Sequence, residues 1–491
     1  MSNQIRSLKP NSIWNHFADI NAIPRASKKE TKIIAFMAEF GKNLGLETIV
    51  DECGNVIIRK LPTKGMENRK PIVLQSHLDM VHQKNDNRDF DFDTQGINMY
   101  IDGDWVKADG TTLGADNGIG VATIMAILAS DEIPHPALEA LFTIDEETGM
   151  TGAMGLKSGR LSGDILLNLD TEEDDEITIG CAGGIDVTAL RKYQQDLLNA
   201  SEYTSFKISV KGLQGGHSGI DINRGRGNSN KILNRLLYNQ NENFGMRLCE
   251  FNGGSLRNAI PRESDAVIAI PLENKKGFLI ALDENISDIK NEYSSIEKNL
   301  EISAIAHPCP SECMSKTSQQ AIINSLYGAH NGVFRMSPDI KDLVEASNNI
   351  AKVEIKNGVA KILCLTRSSV ESSKKDVTNT LKSTFELAGF KVSFTGAYPG
   401  WTPNVHSPIL KVLSELYKNI HGNNPQIVAC HAGLECGILG KNYPEMDMIS
   451  FGPTIKGAHS PDEKVNISSV EKFWDYTLEI LKNIPPKESV V

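Results

Sequence analysis

Long apolar stretches are missing from this chain. No uninterrupted run reaches the roughly 18 residues that span a bilayer, and the N-terminal "MSNQIRSLKPNSIWNHF" lacks a signal-peptide core. Both absences lead to the expectation of a cytoplasmic protein with no membrane partner. Cysteine is scarce, with eight residues in 491. "CPSEC" (309–313) and "CHAGLEC" (430–436) look paired, but neither has C-x-x-C spacing and no second pair accompanies them. A thiolate zinc knuckle is thereby excluded, and buried or incidental thiols are expected. Positive charge is also in deficit: 51 Lys and Arg face 62 Asp and Glu, a formal net charge of −11. That balance argues against nucleic acid or an anionic lipid surface as partner.

What is present suits a soluble globular protein, and 491 residues exceed one ordinary core, so two or more domains are expected. Helical patterns come first: Ser12 reads as the cap of "IWNHFADINAI", and "KETKIIAFMAEFGKNLGL" ends on Gly45. Strands and helices then alternate. "ETIVDE", "NVIIRK", "PIVLQS", "LEALFTIDEE" and "DILLNLDTEE" read as strands, and "NGIGVATIMAILAS" (117–130) as a buried helix. This is the rhythm of an α/β domain with a largely parallel sheet. The texture changes near 187. "SFKISVKGLQGGHSG", the helix "NSNKILNRLLYNQ" and "ESDAVIAIP" form one α+β pattern, and a similar order recurs at 351–396. From about 400 the helix and strand alternation returns. The expected organisation is a catalytic domain over 1–186 and 401–491, with 187–400 inserted and duplicated within itself. The C-terminal "NIPPKESVV" reads as a frayed tail.

In "PIVLQSHLDMVHQK" (71–84) an apolar strand breaks into His77, Asp79 and His82. Other apolar runs also end in polar groups: Asp116 in "LGADNG", Asp145, Glu146 and Glu147 in "FTIDEE", Asp170 in "LLNLDTEE", and His459 in "SFGPTIKGAHSPDE". Open α/β sheets build their sites beyond the carboxyl ends of the strands, so these groups can converge. Imidazoles with carboxylates suit zinc, cobalt or manganese. A carboxylate such as Asp116 can bridge two cations roughly 3.5–4 Å apart, as in two-metal hydrolases. A further carboxylate would move the proton of the attacking water, and Glu146 suits that role if Glu147 faces the metal. Asp79 can accept the other N–H of His77 and fix its tautomer, while His82 reads as loop. Bland readings stand beside these: Asp116 as a helix cap, Glu146, Glu147 and Asp170 as solvated strand ends.

"SHLDMV", "GADNGIG", "DEETGMTGA", "NLDTEE" and "GAHSPDE" resemble the signatures of the dinuclear-zinc peptidase superfamily that includes carboxypeptidase G, aminoacylase-1, peptidase T and the carnosinases. "GGHSGIDI", "RNAIPRE", "HAGLECGIL" and "SFGPTIKGAHSPDE" further resemble the bacterial aminoacyl-histidine dipeptidases. The resemblance implies an α/β zinc-peptidase catalytic domain, its mostly parallel central sheet flanked by helices, with an inserted α+β lid of two ferredoxin-like halves. It implies two divalent ions, Zn2+ first, with Co2+ or Mn2+ as alternatives. His77, Asp116 and Asp170 would hold one side of the pair, Asp116 would bridge, and Glu147 and His459 would complete the other. Asp79 matches the orienting aspartate, Glu146 the general base, and the Asp116–Asn117 bond a site where relatives have a cis peptide.

In the lid, His217 and Asn258 match residues that steady the oxyanion. Arg367 in "LTRSS" matches more loosely an arginine clamping the substrate's terminal carboxylate, with a surface arginine as the bland alternative. Glu435 in "HAGLECG" replaces a threonine-aspartate pair of many relatives and is read as receiving the free α-amine. The expected activity is hydrolysis of Xaa-His dipeptides such as carnosine; the alternative is a related aminoacylase or carboxypeptidase-like amidohydrolase. The partner is then a small peptide substrate. The lid is about twice the length of the single lid of carboxypeptidase-type members, where a partner subunit supplies the lid histidine, so monomer and homodimer both stay open.

Overall fold

Three runs apolar on both faces become the centre of one sheet. Ile72–His77, Leu138–Thr143 and Ile165–Asn168 are strands with every residue buried, as expected where both faces are covered. In the computed structural model, which describes residues 2–487, they pair in parallel, with Asp447–Ser450 beyond Ile165–Asn168. Glu47–Val50, Val56–Lys60 and Glu176–Cys181 run antiparallel to their neighbours, and Gln426–Cys430 closes the far edge of eight strands. The sheet is mixed, and the parallel order belongs to its four central strands.

The helix Ala115–Ala129 is buried along nearly its whole length and packs on the Ile72–His77 strand and the helix Asn11–Asn21. Ser12 does not cap that last helix. Pro10 occupies the N-cap, and its carbonyl accepts from the N–H groups of Ile13 and Trp14; a residue with φ preset near −65° can open a helix without a side-chain cap. A small antiparallel sheet runs Ile455–Lys456, Lys464–Asn466, Trp105–Ala108, Met99–Asp102. Its first two strands hold the loop that carries His459. The expected fraying of the C-terminus does not extend to 483–487: Ile484 is buried, and backbone bonds join Lys70 to Pro485 and Lys487 to Asn68. Residues 488–491 lie outside the described residues. No helix among the described residues is long and apolar enough to cross a membrane.

The chain divides into two units. The first comprises residues up to Gly180, Pro403–Ala429 and those from Leu434 onward; the second comprises Cys181–Thr402 and Cys430–Gly433. The second unit is built on one nine-stranded antiparallel sheet. Tyr203–Lys211, the helix Ser229–Asn241, Arg247–Gly253, Ser264–Pro271, the helix Lys275–Tyr293 and Glu301–His307 follow the βαββαβ order of a ferredoxin-like half. The other half uses Gly183–Lys192, the helix Lys316–Gly328, Val344–Lys356, Val359–Ser368, the helix Glu371–Leu387 and Lys391–Tyr398. Both halves have the spatial strand order 4-1-3-2, and they join where Phe251 pairs with Ile355. One half is therefore nested inside the other, where the sequence pattern suggested two in succession. A single apolar core, from Val187 to Phe390, runs through both.

Candidate active site

His77 ends its strand fully buried, and its Nε2 lies 3.1 Å from Asp116 Oδ1 and 3.5 Å from Asp170 Oδ1. Asp116 follows Gly114, the N-cap of the Ala115–Ala129 helix, and its backbone is not helical; no side-chain cap bond is made there. The Asp116–Asn117 peptide is cis. The helix-cap reading of Asp116 therefore fails, and its carboxylate faces the cluster. Its Oδ2 lies 3.4 Å from His459 Nε2, which is 2.8 Å from Glu147 Oε2. Asn117 donates its side-chain amide to Asp170 and to the Leu169 carbonyl. His459 adopts a left-handed backbone (φ 66°) and is 57% exposed on its side chain, so it forms the open wall of the site.

Ligand atoms of His77, Asp116 and Asp170 lie within 4.8 Å of one another, as do those of Asp116, Glu147 and His459, and those of His77, Glu146 and Glu147. One oxygen of Asp116 faces each of the first two groups. Mixed nitrogen and oxygen donors around a shared carboxylate fit a pair of divalent cations. The electrostatics agree. Burial first, then neighbouring carboxylates, push Glu146 well above its ordinary value; burial likewise raises Glu147 and Asp170. Burial would lower His77, but Asp170, Asp116 and Asp79 hold it well above the usual imidazole value.

Asp79, fully buried, is the hinge of this arrangement. Its carboxylate accepts from the backbone N–H of Glu146 (3.0 Å) and Glu147 (3.3 Å) and from Ser27 Oγ (2.8 Å). His77 Nδ1 lies 3.1 Å from the Asp79 carbonyl and 3.4 Å from its Oδ1, which leaves Nε2 to the cluster. Asp145, named beside Glu146 in the sequence, turns the other way: its side chain accepts from Thr148 and Thr151 and shapes the turn. His82 is an exposed loop residue packed edge-on to Phe92.

Glu435 is fully buried, with Oε2 accepting from Gln75 Nε2 and Thr143 Oγ1 at 2.6 Å each. Its Oε1 has no hydrogen-bond partner among the described residues. Burial pushes this carboxyl up to about 8. Gln75 and Thr143 escaped the sequence reading because they look like ordinary strand positions; their polarity inside wholly buried strands was the available signal. Glu172 was missed as well. Burial, then Asp116 and Asp170, push it up to about 8, and the acidic run "DTEE" pointed to it.

The second unit carries the remaining candidates. His217 Nδ1 accepts from the N–H groups of Gly219 and Ile220, so its Nε2 bears the proton. That Nε2 lies 3.3 Å from Arg367 Nη2, which is also a donor. Two donors abutting in this way leave an acceptor, anionic by preference, to be supplied from outside the pair. Burial, then Arg367, lower His217 to about 4. Arg367 is 5% exposed and donates to Tyr398 Oη at 2.8 Å, which removes the surface-arginine reading. Asn258 sits in an exposed turn next to the short pairing of His217 with Ala259, and Asn349 secures that turn through the carbonyls of Arg257 and Ala259.

Residues 73–483 match the Peptidase family M20/M25/M40. Over 485 residues the chain is 45% identical to the cytosol non-specific dipeptidase of Escherichia coli (strain K12), covering 99% of this chain and 100% of the relative. Among solved structures, the aminoacylhistidine dipeptidase of Vibrio alginolyticus superposes with a TM-score of 0.93 at 44% identity, over 99% of this chain and 100% of that one. The aminopeptidase PepT of Bacillus cereus shares the fold at 15% identity, with a TM-score of 0.57 over 97% and 99% of the two chains.

Proposed function

The chain belongs to Peptidase family M20/M25/M40 and is a peptidase, and within that family we propose that it is a cytosolic dipeptidase. It cleaves Xaa-His dipeptides, carnosine among them, with two divalent ions held by His77, Asp116, Glu147, Asp170 and His459. The observation that carries this reading is the Asp116 carboxylate, one oxygen towards His77 and the other towards His459, with Glu146 beside the same donors. Full-length similarity to two named dipeptidases supports the restriction to dipeptides. The donor set favours zinc and also suits cobalt or manganese.

Bound there, a divalent pair supplies Lewis acidity, lowering the pKa of water and polarising a carbonyl. Glu146 acts as general base. It takes a proton from the water that adds to the scissile carbonyl carbon and returns it to the nitrogen as the carbon–nitrogen bond breaks. Asp79 keeps His77 in one tautomer and holds the Glu146–Glu147 backbone in place. Glu435 receives the substrate's free amine through Oε1. Arg367 takes the terminal carboxylate, and the Nε2–H of His217, with Asn258, steadies the developing oxyanion.

The test is an assay of chelator-stripped protein with carnosine, Ala-His, Gly-Gly-His and N-acetyl-His, with and without zinc, beside Glu146→Gln. Zinc-restored cleavage of the two dipeptides alone, lost in the variant although zinc still binds, is the expected result. Cleavage of N-acetyl-His would assign an aminoacylase-like activity, and activity surviving in the variant would remove Glu146 as base.

A further inference from the structure

Arg25 and Glu463 are each only 2% exposed, in the first unit. Glu463 Oε2 accepts from the N–H groups of Leu113 (2.7 Å) and Gly114 (2.9 Å), and Oε1 from those of Ala115 (2.8 Å) and Asp116 (3.2 Å). One carboxylate thus satisfies four consecutive backbone donors, from the residue before the N-cap to Asp116, at the positive end of the helix dipole. Arg25 works from the other side. Its Nη1 donates to the carbonyls of Leu78 and Asp79, 3.1 Å each, and its Nη2 to the Gly114 carbonyl and to Asn21 Oδ1. The guanidinium therefore joins the turn after His77 to the residue two before Asp116.

The two side chains meet on a single residue: Gly114 gives its N–H to Glu463 and its carbonyl to Arg25. Glycine is required there. Its φ is +70°, and a Cβ would stand 2.5 Å from Arg25 Nη2; at Gly118 a Cβ would stand 2.7 Å from the same nitrogen. The "GADNG" stretch is open at both ends because the guanidinium passes between them.

We propose that Arg25 and Glu463 act together as positioning residues that fix the Asp116 carboxylate relative to His77 and so set the affinity of the shared metal position. The inference rests on the metal-site reading of the five ligands. A bridging carboxylate must present both oxygens within a few tenths of an ångström, and its support comes from these two backbone segments. The residue types follow. A carboxylate is acceptor-only, whereas a glutamine would turn its NH2 towards two backbone donors. A guanidinium donates in several fixed directions at once, and a lysine does not. Burial lowers the Arg25 guanidinium to about 10, and Glu463 leads the charges that oppose this, so it remains a cation at neutral pH.

The experiment compares wild type, Arg25→Lys, Glu463→Gln and the double variant of the full chain. Zinc affinity and stoichiometry are read by competition with a chromophoric chelator, beside the thermal midpoint of the metal-free protein. Each single change is expected to weaken the more loosely held zinc about 10–100-fold, and the double variant less than the product of the two. With zinc saturating, kcat falls and KM holds. Variants that melt earlier but bind zinc like wild type would overturn the inference and leave a purely structural pair. Should Glu463→Gln fail to fold, Arg25→Lys and Gly118→Ala, whose new methyl meets the guanidinium, decide by the same readout. A wild type that takes up no zinc would instead overturn the metal reading itself.

Discussion

Glutamine at position 435 is expected to make the metal-free protein more stable at pH 8 and a poorer dipeptidase. Burial pushes the Glu435 carboxyl from an ordinary 4.5 to about 8, against the pull of His77 and Thr143. Between those values the folded chain keeps a proton that the unfolded chain has released. Its contribution is therefore complete below pH 4.5 and is lost as pH rises towards 8. The loss amounts to about 4 kcal/mol by the usual conversion of pKa into free energy. Glutamine never ionises and retains the oxygen that Gln75 and Thr143 use, so it removes this loss. Thermal unfolding of chelator-treated wild type and Glu435→Gln, from pH 5 to pH 8, isolates the effect from that of the other buried carboxyls. The two midpoints should lie close together at pH 5 and separate by several degrees at pH 8, the variant higher. In parallel, loss of a charge-assisted contact to the substrate amine lowers kcat/KM by about 10–150-fold, the equivalent of ~1.5–3 kcal/mol. Equal pH slopes for the two proteins would refute the electrostatic argument.

Glu146→Gln should lower kcat by about 10²–10⁴-fold, the usual range for a general base, with zinc content unchanged by elemental analysis. Asp79→Asn turns an NH2 towards the Glu146 or Glu147 backbone N–H and should weaken zinc binding about 10–100-fold, read by chelator competition. Arg367→Lys keeps the charge but loses the fork, and KM for dipeptides should rise about tenfold or more in initial-rate assays. Adding zinc to the chelator-stripped protein should raise its thermal midpoint in scanning calorimetry, increasingly so with zinc concentration.

The parts of the site legible in the sequence share one property: each candidate ligand follows its own short apolar run. His77 closes Ile72–His77, Asp170 follows Ile165–Asn168, and Glu147 follows Leu138–Thr143. Parallel pairing brings those ends together, so a one-dimensional pattern carried three-dimensional information. Where the information was pairwise, it was lost. Glu435 finds Gln75 and Thr143 at separations of 360 and 292 residues, and nothing local to any of them announces the others. The nesting of the two ferredoxin-like halves was hidden for the same reason. Gly183–Lys192 alternates like any half-buried strand, while its partner Val359–Ser368 comes after the whole of the other half. Ser12 failed differently: a favourable cap residue lost to the proline two positions earlier.

Charge explains why so many acidic groups stand together at the ends of these strands. Asp79, Asp116, Glu146, Glu147, Asp170, Glu172 and Glu435 lie close enough to perturb one another, and the nearby cationic candidates are His77, His459 and Arg25. Arg25 is already committed to the backbone carbonyls of Leu78, Asp79 and Gly114. A burial of carboxylates beyond the available cations destabilises the chain that makes it, because desolvation is not repaid by pairing. Two divalent ions would reverse that balance at the place where Asp116 faces both halves of the donor set. Unpaired acidity at a sheet end is thus a cost to the metal-free fold and, on the proposed metal reading, would be the source of affinity in the loaded one, coupling stability to catalysis through the same carboxylates.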